Sequence, residues 1–326
     1  MKKLFFVDIV FLTFLVSCSS NYFMKTNECD ISSESEPKNV LLKKNYSFNY
    51  ATKKSMIPVI SIKVNNAFLT FECDTGAATS FIHKSGMKKI VDDFQEWEND
   101  SIKIFLDELM MKNPNKDYTF SEVKKMYFDM AKKGMSYTKY PVIFIQNDKS
   151  YRTNLNYSNI KTKYDGVLGL DFFLQLNSIV FDYKEKEVYF NTDIISNEGS
   201  PIILIDEPIG KSLYIDCVIN NEIERCLLDT GLNCCIIRQD FQKNKNESYE
   251  SMASGNNKDI YMNIIESLKI ASLEYNNIIF YYAVSRNFLC SDKVRNYYKE
   301  HSGLGFPIFE NHIIQFDFEN MHFYIE

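Results

Sequence analysis

In both halves of this chain, short runs of apolar residues alternate with polar ones and are broken by Asn, Asp, Gly and Lys. A period of two places successive side chains on opposite faces of an extended backbone, so the pattern predicts half-buried strands joined by tight turns. The pattern also repeats. Residues Val64 to Ile82, VNNAFLTFECDTGAATSFI, give an Asn-Asn pair, an apolar strand, Asp-Thr-Gly and a second apolar strand. Residues Ile219 to Ile237, INNEIERCLLDTGLNCCII, give the same series at a constant offset of 155 positions. A second pair, Gly166 to Phe190 and Gly303 to Ile325, holds an apolar-Gly-apolar turn, an amphipathic segment and a hairpin of alternating residues, at an offset of 136 that becomes 135 at Asp182 and Asp317.

Repeats at this spacing predict a mainly β chain made of two related lobes, residues 55–196 and 197–326. Between the shared ends the lobes differ. From Met87 to Met110 the apolar positions follow helical spacing, which predicts a helical insertion in the first lobe. Lys125 to Ile145 and Ser267 to Tyr281 each read as strand, polar turn and strand; Met126 to Met130 fit a helix or a strand, and the repeat favours the strand. Asp182 and Asp317 fall in hairpins, where solvated turn residues are expected.

The first 20 residues, MKKLFFVDIVFLTFLVSCSS, depart from this pattern. Two lysines precede an apolar run too short to span a bilayer comfortably, which fits a signal peptide over residues 1–17. Leu15-Val16-Ser17-Cys18 resembles a bacterial lipobox, in which cleavage precedes a lipidated Cys, here Cys18; Asp8 within the apolar run departs from the type. An ordinary cleaved signal and an uncleaved anchor are the other readings. Residues 18–54, rich in Ser, Asn, Lys and Glu, are expected to be a flexible tether. With the lipobox reading, the protein is expected at the bacterial cell envelope, exported and held to the membrane by its lipid.

Charge and composition narrow the chemistry. The 326 residues carry 37 Lys and Arg against 43 Asp and Glu, a net charge of -6, so the overall excess of positive charge that nucleic-acid binding draws on is missing. Of eight cysteines, seven remain once Cys18 is set aside, an odd number with no CxxC spacing and no accompanying His cluster, so neither a disulfide framework nor a metal site is expected. The adjacent Cys234 and Cys235 read as small apolar strand residues. Four histidines form no HExxH, no GxSxG elbow is present, and the Gly-containing segments lack the Lys-Ser/Thr of a phosphate loop.

The doubled Asp-Thr-Gly, with Gly166-Val167-Leu168-Gly169-Leu170-Asp171 and Ser302-Gly303-Leu304-Gly305-Phe306 closing the lobes, resembles the aspartic peptidases: a retropepsin-like unit duplicated and fused as in the pepsin-like enzymes. The resemblance covers about half the chain. It implies two β-barrel lobes facing across a pseudo-twofold axis, Asp74 and Asp229 sharing one proton as catalytic residues, and peptide hydrolysis by an activated water with no cofactor, metal or covalent intermediate. Thr75 and Thr230 would hydrogen-bond across the lobe interface, and Gly76 and Gly231 would permit the sharp turn and close approach. The family usually has Ser or Thr after the glycine where this chain has Ala77 and Leu232; Ala77 matches the retropepsin habit and Leu232 does not, with Thr79 or Asn233 as substitutes for the missing hydroxyl. A flap over the cleft is implied too, and Ser248 to Met262 is its candidate, or else an ordinary surface hairpin. The expected partner is an extended polypeptide substrate, and with both motifs in one chain a monomer suffices. The competing reading is an inactive relative that binds extended polypeptides.

Overall fold

The computed structural model describes residues 38–51, 55–114, 116–132, 138–160, 162–193, 199–207, 210–238, 241, 250–251, 260–283 and 301–326. Residues 1–37, Cys18 among them, lie outside the described residues, as do 248–249 and 252–259 of the flap candidate. The chain is mainly β. It opens with β1 (Lys38–Leu41), β2 (Asn45–Ser47), β3 (Asn49–Tyr50), β4 (Pro58–Val64), β5 (Ala67–Cys73) and β6 (Phe81–His83). Three helices follow, α1 (Lys84–Ile90), α2 (Phe94–Lys112) and α3 (Phe120–Lys132). Then come β7 (Lys139–Gln146), β8 (Lys149–Ser158), β9 (Gly166–Leu168), the one-turn α4 (Leu170–Phe173), β10 (Ser178–Asp182) and β11 (Glu187–Phe190).

The second half runs through β12 (Ser200–Pro201), β13 (Ile203–Glu207), β14 (Gly210–Ile219), β15 (Glu222–Leu228) and β16 (Cys235–Ile236). It continues with β17 (Glu250–Ser251), β18 (Ile260–Ile270), β19 (Leu273–Ala283), β20 (Ser302–Leu304), the one-turn α5 (Phe306–Phe309), β21 (Ile313–Asp317) and β22 (His322–Ile325).

Local chemistry accounts for the hairpins that carry the Asp-Thr-Gly strands. Ile60, Ile62 and Val64 of β4 are buried while Ser61 and Lys63 between them are exposed, as a strand with one face on the core requires. The turn into β5 holds Asn65 at φ 54°, and the turn from β14 into β15 holds Asn220 and Asn221 at φ 47° and 69°. Asn tolerates this left-handed region better than most side chains, so Asn-Asn at each tip suits a tight hairpin.

Two eight-stranded sheets result, in the orders β1-β7-β8-β6-β9-β5-β4-β3 and β13-β14-β15-β20-β16-β19-β18-β17. In the first, β9 lies between β5, to which it is parallel, and β6, to which it is antiparallel. In the second, β20 lies in the same way between β15 and β16. The registers keep the offsets of the sequence: Phe71 pairs with Gly166, and Cys226 with Ser302. A six-stranded sheet joins the halves, with β10 antiparallel to β21 from Ser178 opposite Asp317 to Asp182 opposite Ile313. One large apolar cluster draws on both halves.

The structure corrects three expectations. The tether was expected to reach residue 54, yet Lys38 to Tyr50 lies in strands: β1 pairs with β7, β2 with β11 and β3 with β4. Val40, Leu42, Tyr46 and Phe48 are buried, an alternation that Lys and Asn obscured in the composition. The strand expected at Met126 to Met130 is part of α3. A reciprocal cap starts that helix, with Thr119 N donating to Glu122 Oε2 (2.9 Å) and Glu122 N to Thr119 Oγ1 (3.3 Å), and Val123, Tyr127 and Ala131, four residues apart, fill the core. Asp182 and Asp317 are buried and not solvated: each Oδ1 accepts two backbone amides of its own turn, those of Lys184 and Glu185 and those of Glu319 and Asn320.

The helical insertion between Met87 and Met110 is present as α1 and α2. It docks through a buried carboxylate. Glu98 Oε1 of α2 accepts from Lys84 Nζ (2.9 Å) and from the Tyr157 hydroxyl of β8 (3.0 Å). Lys84→Met would remove the cation paired with Glu98 while keeping the methylene stem. Because Lys84 is itself a third exposed, the expected loss is reduced by screening to about 2 kcal/mol, read as a lower urea midpoint.

Candidate active site

β5 and β15 each deliver an aspartate where the strand leaves its sheet. Asp74 N donates to Leu168 O and Asp229 N to Leu304 O, both at 3.1 Å, as the last rungs beside β9 and β20. The next residues interlock the two halves. Thr75 N donates to Thr230 Oγ1 (3.0 Å) and Thr230 N to Thr75 Oγ1 (3.0 Å). In turn Thr75 Oγ1 donates to Leu228 O (3.0 Å) and Thr230 Oγ1 to Cys73 O (2.9 Å). Each hydroxyl thus gives and accepts one bond across the interface, a pair of roles that a buried Val could not fill.

The glycines set the approach. A Cβ on Gly76 would lie 2.3 Å from Asp229 Cγ, and one on Gly231 would lie 2.4 Å from Asp74 Oδ1. Each glycine therefore packs against the aspartate of the other half, which only a residue without a side chain allows. Gly76→Ala is expected to cost about 1–3 kcal/mol by overpacking and to displace Asp229, read as a lower urea midpoint.

Both carboxyls are buried, 2% exposed at Asp74 and 4% at Asp229. Backbone amides hold them. Asp74 Oδ1 accepts from Gly76 N (2.9 Å) and Ala77 N (3.1 Å), and Asp229 Oδ1 from Gly231 N (2.8 Å). Burial pushes the Asp74 carboxyl well above the ordinary Asp range, and the charges of Asp229 and then Glu72 push it further. A carboxyl that holds its proton more tightly than usual, hydrogen-bonded to a second carboxyl, puts a proton donor against a possible acceptor.

The structure brings together all six residues expected at the site: Asp74, Thr75, Gly76, Asp229, Thr230 and Gly231. Leu232 has no hydroxyl to brace the turn. Leu232 is buried in a small apolar cluster with Tyr214, Leu227 and Ile236, and Asn233 Oδ1 accepts from Met56 N (2.7 Å). Asp171 accepts from Ser80 Oγ (2.6 Å), and Gly169 N donates to the same hydroxyl (2.9 Å), which secures the closing turn. Cys234 and Cys235 are free thiols.

One residue was missed. Glu72 lies two positions before Asp74 on β5, is 1% exposed, and has its carboxyl pushed up to about 8 by burial, against a hydrogen bond from the Tyr164 hydroxyl that favours its charge. The signal in the sequence was a carboxylate in an apolar strand whose second copy has Leu227 at the same place.

Comparisons with known proteins add little to this geometry. No family model matches the chain, and no curated protein matches it. Solved structures that match include a retropepsin-like aspartic protease from Rickettsia conorii, 14% identical over 41% of this chain and 98% of that chain, with a TM-score of 0.27. A likeness of that size carries no argument, and the reading below rests on the site itself.

Proposed function

We propose that this protein is an aspartic-type endopeptidase, built from two related retropepsin-like lobes and hydrolysing peptide bonds with Asp74 and Asp229. The observation that carries the reading is the reciprocal Thr75–Thr230 interlock, which sets two buried carboxyls against the glycine of the opposite half. The matching strand pairings and registers of the two sheets support a duplication. In the reaction, the ionised aspartate takes a proton from water as it attacks the peptide carbonyl, and the protonated one donates to the carbonyl oxygen. The substrate is an extended polypeptide, the chain acts as a monomer, and a lipid on Cys18 holds it at the bacterial cell envelope.

The test is incubation of the protein with an unfolded polypeptide from about pH 3 to 7, the range in which coupled carboxylates titrate. The two aspartate-to-asparagine variants are run beside it. Cleavage that both substitutions abolish supports the peptidase. Tight binding of the polypeptide with no cleavage by the parent at any pH would replace it with a polypeptide-binding protein.

A further inference from the structure

Glu72 is a carboxyl that the two-aspartate reaction does not use. Phe71 and Cys73 of β5 point into the large core, so the period of two turns Thr70, Glu72 and Asp74 to the opposite face of the strand. Two residues of strand rise place Glu72 roughly 7 Å from Asp74 along the backbone. Among the described residues its buried Oε1 has no hydrogen-bond partner, although a buried carboxyl normally has both oxygens engaged. The other half has no carboxyl at the equivalent position. The equivalent position is Leu227, which lies in an apolar cluster with Leu232 and Ile236.

The groups around Glu72 leave its charge free to act on Asp74. Its register partners, Val59 of β4 and Val167 of β9, are apolar. Cys73 and Asp74 share its strand, and Tyr164 ahead of β9 donates a hydrogen bond to it. One pleat back, Thr70 N and Oγ1 donate to Asp165, but that carboxylate has its own cation in Lys89 at 2.6 Å. Among the described residues, burial and then the Tyr164 hydroxyl are what shift its carboxyl.

We propose that Glu72 is the third ionisable carboxyl of this site, a positioning residue that acts through Asp74 to keep the shared proton on the aspartate pair as the pH rises past neutral. The inference rests on the peptidase reading. At acid pH Glu72 is a neutral acid and has no effect on the pair. As the pH rises its negative charge develops beside Asp74, and a like charge in a buried setting raises the cost of removing the remaining proton. The pair then stays singly protonated, and active, to a higher pH than two carboxyls alone would.

The test is the pH profile of kcat/KM for the full chain and for Glu72→Gln, which keeps the shape and cannot ionise. The expected result is an alkaline limb moved toward acid by about one pH unit, with the acid limb unchanged. A purely structural role would lower the whole profile without moving either limb, and superimposable or uniformly lowered profiles would overturn the proposal. A second readout needs no catalysis. Because burial raises the Glu72 pKa above its unfolded value, its contribution is lost as pH rises from about 4.5 to about 8, so the parent's thermal midpoint should fall over that window more steeply than the variant's. Equal slopes would overturn the proposal even in a protein that cleaves nothing. A flattened slope with no cleavage by the parent at any pH would refute the peptidase and leave Glu72 as an ionising member of the carboxyl cluster.

Discussion

Asp74→Asn is expected to lower kcat/KM for an unfolded polypeptide by roughly a thousandfold or more, and Asp229→Asn to do the same. Asn keeps an oxygen where the backbone amides of Gly76 and Ala77 now donate to Asp74, and where that of Gly231 donates to Asp229, so the fold should survive. Asn cannot ionise, and with it the pair can no longer work as base and acid. The same reasoning gives Asp74→Asn an unusual companion. Burial first, then Asp229 and Glu72, hold the Asp74 pKa above its unfolded value, so in the parent its contribution to stability is present in acid and lost as pH rises through the folded pKa. Near neutral pH the variant should therefore melt no lower than the parent, and higher if the pair is ionised there. A residue kept for stability would show the opposite, an intact activity and a lower midpoint. Cleavage surviving in either variant would sink the mechanism.

Thr75→Val carries the largest expected loss of stability. The substitution keeps the volume and removes a hydroxyl that accepts from Thr230 N and donates to Leu228 O, both at 3.0 Å and both in buried surroundings. An amide and a carbonyl are then left without partners between the two halves. At about 1–3 kcal/mol for each unsatisfied group, the expected cost is about 2–5 kcal/mol. Thr75→Ser retains both bonds and loses one methyl, for about 1 kcal/mol. Equilibrium unfolding in urea separates the two, and a Val variant within about 0.5 kcal/mol of the parent would show that the interlock does not hold the halves together. Thr230→Val should behave alike, because Thr230 Oγ1 accepts from Thr75 N and donates to Cys73 O.

The parts of the fold that the sequence displayed are those with short-range causes. Asn-Asn turns, alternating strands and the two short helices after Gly169 and Gly305 follow from a few neighbouring residues, and they are where the repeat put them. The misreadings have the same origin. At Met126 to Met130 the repeat points to a strand, while a cap just upstream at Thr119 and Glu122 and four-residue apolar spacing point to the helix that forms. From Lys38 to Tyr50 the strands are too short and too polar to announce themselves, and they exist because β4, β7 and β11 offer unpaired edges to them.

By itself, the sequence determined which residues would stand at the site: two Asp-Thr-Gly turns at equivalent places in a repeat, each after an apolar strand. Turn chemistry and strand periodicity are local, and they need no knowledge of what lies across the molecule. Only the tertiary structure decided that the two threonines exchange bonds, that each glycine meets the other half's aspartate, and that Glu72 is buried beside Asp74 with an oxygen unpaired. These facts join segments more than 150 positions apart or depend on what covers a side chain. They are set by how buried backbone groups find partners and how burial changes the cost of a charge, and neither is written in any single stretch of the chain.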